Sequence, residues 1–265
     1  MTREQGIGTL ALAVWTALVV LFLLLPLFVI VAFSFNDSDF PSFPMRGLTL
    51  KWYWRFLESD ELLAALWNST LVAFATMVLA TTFGTLAAIG LARSGARTQK
   101  FMRPLLSTPM MTPRLVVGIA LLNMFNLLSM QLSLLTVIVG HTVVAVPYVI
   151  LVVSARLVGL DPRIEEAAAD LGATRTRVLI DILLPLLRPA VLGSALIAFT
   201  LSFDEVVVTF FTTGTENTLP TTIWAMLRYG ITPEINAVST LTMIATVALA
   251  LGAEVMIRSG GVHRR

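Results

Sequence analysis

Charges are spaced unevenly along this chain, and the gaps between them carry the first structural signal. No charge lies between Gln5 and Asn36, and the apolar part of that run, Leu10–Phe33, is long enough to cross a bilayer as a helix. It is too long for the apolar region of a signal peptide and no small-residue cleavage site follows, so it reads as a retained span. The next run, Leu62–Ala92, predicts a span near 66–91. Leu115–Ala155 is uncharged for 41 residues, about twice the ~20 that one span needs. The polar insert NLLSMQLS at 126–133 divides it, which predicts helices near 107–129 and 134–155 joined by a tight turn. A fifth span, 183–211, is built from Pro189–Phe203 with LLPLL before it and VVVTFF after it. Ile235–Ala253 starts the last, 235–257. The pattern predicts an all-α integral membrane protein, with six transmembrane helices in one membrane domain, 1–265.

Composition agrees. The chain is 57% hydrophobic and 13% charged, about half the charge of an ordinary soluble domain, and its mean hydropathy is +0.86. Fourteen of the eighteen Lys and Arg residues fall in the N-terminus, 93–114, 156–188 and the tail. Only four fall in 37–61 and 204–234, and none in 126–133. This asymmetry places both termini and the 156–188 loop in the cytoplasm. Trp52, Tyr53 and Trp54 then lie in an outer loop and read as an interfacial belt. The net charge of +2 is spread over loops and forms no basic domain for nucleic acid. There is no cysteine, and His141 and His263 are too far apart to suggest a metal site. His141, inside the fourth span, reads as a hydrogen-bonded interior residue. Arg114 and Glu254 read as span-end residues that snorkel. Pro147 and Pro189 are candidate kinks.

The charged interruption EEAAADLGATRTRVLIDILLPLLRPA at 165–190 has its own local logic. Asp161-Pro162 is a helix start. Glu165 and Glu166 suit the first turn of a helix, where the dipole favours acids. Gly172 is a stop. These bound a helix of about three turns. On it Ile164, Ala167, Ala168 and Leu171 share one shallow, alanine-rich face. Such a face suits insertion into a groove of another protein; a helix lying on the membrane surface is the alternative.

Asp204 and Glu205 stand between apolar stretches. If the fifth span runs to 211, both lie inside the outer part of the bilayer, where ionisable groups usually face a cavity or a partner. If it ends near Phe203, they are its wet end. Two carboxylates beside Phe203, Phe210, Phe211 and Trp224 would attract an amine by charge and cation–π contact. Tyr148, next to Pro147, is a further candidate for the pathway.

The 165–190 stretch resembles the EAA loop of binding-protein-dependent ABC transporter permeases: Glu-Ala-Ala, three residues, Gly, nine residues, Ile, one residue, Leu-Pro. Here the matching residues are Glu166, Ala167, Ala168, Gly172, Ile182, Leu184 and Pro185. The stretches 202–241 and 107–122 look like those of the second permease subunit of spermidine/putrescine importers. The resemblance implies a type I ABC importer permease fold in a bacterial inner membrane. It implies a short cytoplasmic coupling helix that docks on an ATP-binding subunit dimer, with Glu166, Ala167, Ala168 and Gly172, flanked by Ile164 and Leu171, at the contact. It also implies a second permease subunit and an external substrate-binding protein, with ATP and Mg held by the ATPase and no cofactor on this chain. Related permeases for opines, amino-acid derivatives and other amines share much of the pattern. No G-x-x-x-x-G-K-[ST] occurs, so energy must come from a partner. No G-x-S-x-G serine site supports an intramembrane hydrolase. A stand-alone secondary transporter would need no EAA loop and should show internal symmetry between its halves, which this sequence does not display.

Overall fold

A computed structural model describes residues 3–39, 43–161, 163–229 and 233–261. Pro162, His263, Arg264 and Arg265 lie outside the described residues, as do the side chains of Arg3, Glu254 and Arg258. Among the described residues the structure is helical, with no strand and one isolated antiparallel bridge, Asn36–Leu48. Among the described residues, four helices are long and apolar enough to cross a membrane: Leu12–Ser34, Asp60–Ala92, Leu134–Val158 and Arg175–Phe203. A fifth is gained if the bent pair Ala96–Met111 and Arg114–Leu127 counts as one span. The expected sixth span falls in the helix Pro233–Gly261, which is not among these.

Contacts group the chain into two compact units, 1–63 with 223–245, and 64–222 with 246–265. In the first, α1 (Arg3–Ser34) exposes every side chain from Leu12 to Val29. Its end is tied to α2 (Lys51–Glu58) by polar contacts. Ser34 and Tyr53 share a hydrogen bond of 2.7 Å, the Trp52 indole donates to the Asn36 carbonyl at 2.8 Å, and Lys51 pairs with Asp37 at 2.6 Å. Trp52 and Phe56, one turn apart, are the buried face of α2. The aromatic run is therefore not one belt: Trp52 is 2% exposed and belongs to a core, while Trp54 faces outward.

The second unit is built on α3 (Asp60–Ala92), α4 (Ala96–Met111), α5 (Arg114–Leu127) and α6 (Leu134–Val158). The chain continues through α7 (Arg163–Asp170), α8 (Arg175–Arg177), a π-type turn at Val178–Leu183, α9 (Leu184–Phe203) and α10 (Val207–Thr212). It ends in α11 (Leu219–Tyr229) and α12 (Pro233–Gly261), whose residues divide between the two units. The centre is α6. Small residues let backbones approach: Ala80, Ala88, Ala145 and Ala198 pack with Val149, Val153 and Leu187. Gly84 marks a close approach of α3 to α6, since a Cβ there would sit 2.6 Å from Val149 Cβ. Small residues at such contacts are the usual basis of helix association in lipid.

Two expected spans are broken. The span 107–129 is two helices meeting at 102°. Pro113 has no N–H and disfavours helical backbone at Thr112, which is extended (φ −83°, ψ 136°). The span 183–211 stops as a helix at Phe203 and restarts as α10. At its other end, Pro185 and Pro189 each withhold a backbone donor, and the helix relaxes into the π-type turn just before them. By contrast α6 runs on past Pro147.

The packing at Gly84 gives a direct test. Gly84→Val is expected to cost about 1–3 kcal/mol by overpacking, read as a lower melting temperature of the purified protein in detergent. An unchanged midpoint would show that the close contact with Val149 does not form.

Candidate functional site

Two places in the second unit carry polar chemistry that the apolar helices do not need for packing. The first is α7. Asp161 starts it as expected, its carboxylate accepting from the Arg163 N–H at 3.0 Å. Its regular part is eight residues, Arg163–Asp170, and Gly172 ends it where expected. Gly172 has φ +83°, its N–H donates to Ala169 O (2.9 Å), and the Ala173 N–H donates to Ala168 O (3.0 Å). This is the paired terminator in which glycine takes the left-handed position.

The expected shared face is split. Ala168 is 8% exposed and turned into the chain, whereas Ile164 (41%) and Leu171 (90%) are open, as are Glu166 and Ala167. The open surface therefore presents apolar and acidic groups together. Glu165 is tied back: Arg93, just past the end of α3, pairs with it at 2.6 Å. Both side chains are more than a third exposed, so this contact orients α7 rather than holding the fold. Behind it lies a cavity of about 340 Å³ whose lining includes Arg93, Gln99, Arg103, Ser154 and Asp161.

The second place is where the two helix breaks meet. Glu205 bridges the α9–α10 break. Its Oε1 accepts from the N–H groups of Val207 and Val208, each at 3.1 Å, and so caps α10. Its Oε2 lies 3.5 Å from Nε of Arg114, the first residue of α5 after the other break. Arg114 Nη2 donates to the Tyr148 hydroxyl at 3.2 Å, and the guanidinium lies 5.9 Å from the centre of that ring. Arg114 does not snorkel: its side chain is 26% exposed and that of Glu205 only 10%.

One helical stretch before Tyr148, His141 is 2% exposed and holds both sides of the same break. Its Nδ1 is 2.8 Å from Ser202 Oγ on α9, and its Nε2 is 2.8 Å from Thr209 Oγ1 on α10. Thr209 spends its hydroxyl proton on the Glu205 carbonyl at 2.6 Å. The histidine must therefore donate from Nε2 and accept at Nδ1. The expected interior role of His141 is what the structure shows.

Tyr148 and Glu205 are thus brought together, through Arg114. Asp204 ends α9 and is exposed, so the acids do not lie within one continuous helix. Phe203 stacks on Phe199 at 5.8 Å. Trp224, on α11, is exposed and belongs to the first unit. Sequence reasoning missed Arg114 and Arg93 as partners. A lone cation and a lone acid in apolar surroundings was the available signal for the first.

With this geometry established, the chain can be compared with known proteins. The family described as "Binding-protein-dependent transport system inner membrane component" matches residues 80–259. The chain is 36% identical over 238 residues to the spermidine/putrescine transport system permease protein PotC of Escherichia coli K12, covering 89% of this chain and 90% of that one. It is 35% identical over 230 residues to the putrescine transport system permease protein PotI of the same organism, covering 84% and 82%. Among solved structures, a bacterial ABC transporter involved in the import of the acidic polysaccharide alginate superposes with a TM-score of 0.76 at 15% identity, over 96% of this chain and 98% of that one. That likeness is one of fold. The chain belongs to the binding-protein-dependent transport system inner membrane component family, the membrane-embedded permease subunits of ABC importers.

Proposed function

We propose that this chain is one permease subunit of an ATP-driven importer that moves putrescine or spermidine inward. The observation that carries the substrate reading is the 36% identity, over nine-tenths of both chains, to a permease named for those two amines. The polar inventory supports it. Asp204 is an exposed carboxylate at a helix break, next in sequence to Glu205, whose carboxylate caps α10, and to the aromatic Phe203. Ammonium groups are attracted by such a pair of charge and ring. We assign Asp204, Glu205, Phe203 and Tyr148 to the substrate pathway.

The open face of α7 is then the coupling surface. Both termini and the 156–188 loop face the cytoplasm, where a dimer of ATP-binding subunits docks on Ile164, Glu166, Ala167 and Leu171. Ala168 and Gly172 fix the shape of the helix from behind. ATP and Mg stay on that partner. A second permease subunit completes the pathway, a heterodimer in this reading, and an external binding protein delivers the amine at the outer face of the inner membrane.

Two outcomes test this. In cells lacking their own polyamine uptake, the complete transporter should accumulate labelled putrescine or spermidine in an ATP-dependent way, and Asp204→Asn should reduce the rate about tenfold, a loss of roughly 1.4 kcal/mol of ion pairing. Normal rates in the variant would remove Asp204 from the pathway. Gly172→Val meets no neighbour within 4 Å, so its harm is backbone strain alone, about 1–2 kcal/mol in the left-handed region. It should uncouple ATP hydrolysis from uptake, whereas Gly172→Asn, which tolerates that conformation, should retain most uptake. Equal behaviour of the two variants would contradict the assignment.

A further inference from the structure

Arg114 stands between the two helix breaks, and the role inferred for it here rests on the polyamine reading. Among the described residues, one ion pair joins the two breaks, beside the apolar packing of α5 on α10 through Val117, Leu121 and Val208. On one side the carboxylate of Glu205 is fixed: Oε1 holds two backbone N–H groups of α10, and its own carbonyl accepts from Thr209, which His141 holds in turn. Removing the cation would leave this carboxylate in place. The cation is held far less firmly. Its contact to Oε2 is 3.5 Å, well beyond the 2.7–2.9 Å of a charge-assisted hydrogen bond. Nη1 is buried without an acceptor. Tyr148 offers it a second resting place, by hydroxyl and by ring face. An anchored anion facing a loosely held cation that has somewhere else to go is built for exchange.

The cation available for exchange is the substrate's own ammonium. We propose that Arg114 is a resident counter-ion of Glu205 that yields to an ammonium group of the polyamine. Arrival of substrate thereby releases the tie between the α4–α5 break and the α9–α10 break. Arg114 is then a positioning residue: it sets when Glu205 is free, and through that it tunes affinity.

The test is equilibrium binding of labelled spermidine to the purified complex in the absence of the external binding protein, with thermal midpoints measured alongside. Arg114→Gln should tighten spermidine binding by roughly threefold to tenfold, because the resident competitor is gone. Glu205→Gln in that background should abolish the gain, and Arg114→Lys should stay near the parent affinity. A residue that only supports the fold would weaken binding or leave it unchanged when removed, and either result overturns the exchange. The ion pair itself is judged without substrate. The midpoints of Arg114→Gln, Glu205→Gln and the double variant should be non-additive, the double variant no worse than the poorer single one; additive losses overturn the pair. If the parent complex binds no spermidine while the midpoints are non-additive, the polyamine reading falls and the exchange with it, and the tie between the breaks stands.

Discussion

Everything in the second unit follows from one constraint: in hydrocarbon there is no water to satisfy a backbone group, so each must find its partner inside the protein. A continuous helix meets this requirement automatically. A broken one does not, and this chain breaks twice in stretches apolar enough to lie in a membrane. Each break is repaired by a specific device. At 112–113 a proline removes one donor outright, and the N–H groups of Val116 and Val117 return to the Pro113 carbonyl. At 204–206 the Glu205 carboxylate takes the first free donors of α10. Because that repair uses a charge, it calls for a counter-charge, and Arg114 at the other break supplies it. The polar cluster is thus a consequence of interrupting helices where water is absent.

The rest of the unit provides a rigid frame for those breaks. Helix α6 packs against α9 through alanine, valine and leucine and against α3 at one close glycine contact, and it carries His141 and Tyr148 toward the breaks from a single helix. Its N-terminus is secured in the same economical way: Thr136 accepts from the Ser133 N–H at 2.8 Å and donates to the Thr212 carbonyl at 2.7 Å, joining α6 to the end of α10. By contrast α7 is a short helix with an open face, tethered by one exposed ion pair and a glycine terminator. A fixed frame and a lightly held outlying helix are what a subunit needs if motion enters it from a partner.

Much of this was legible in the sequence. Charge-free runs located the long helices, since only a helix makes so long an apolar segment stable in lipid. The Asp161 start, the first-turn acids and Gly172 framed α7, because those residues act through local backbone geometry. The EAA pattern identified the family, and the comparison over residues 80–259 agrees. What was not legible depended on contacts between distant residues. The bend at Thr112–Pro113 hides inside a segment that reads as one apolar span, and only the packing of α5 fixes its direction. Glu205 looked like a free carboxylate beside Asp204; its role as a cap needs α10 to begin where it does. Trp52 looked interfacial because sequence cannot show that Asn36 waits with a carbonyl for its indole. The two faces of α7 could not be separated either, since Ala168 is buried by residues of the same loop that folds back beneath it.

The central claim is that energy reaches this chain from an ATP-binding partner through the open face of α7. Site-specific photo-cross-linking in the assembled transporter tests it most directly, with the probe placed once at Leu171, which is 90% exposed, and once at Ala168, which is 8% exposed. The account predicts a strong cross-link from position 171 to the ATP-binding subunit, changing in yield between the ATP-bound and nucleotide-free states, and little from position 168. No cross-link from Leu171 in a complex that hydrolyses ATP and transports would contradict it.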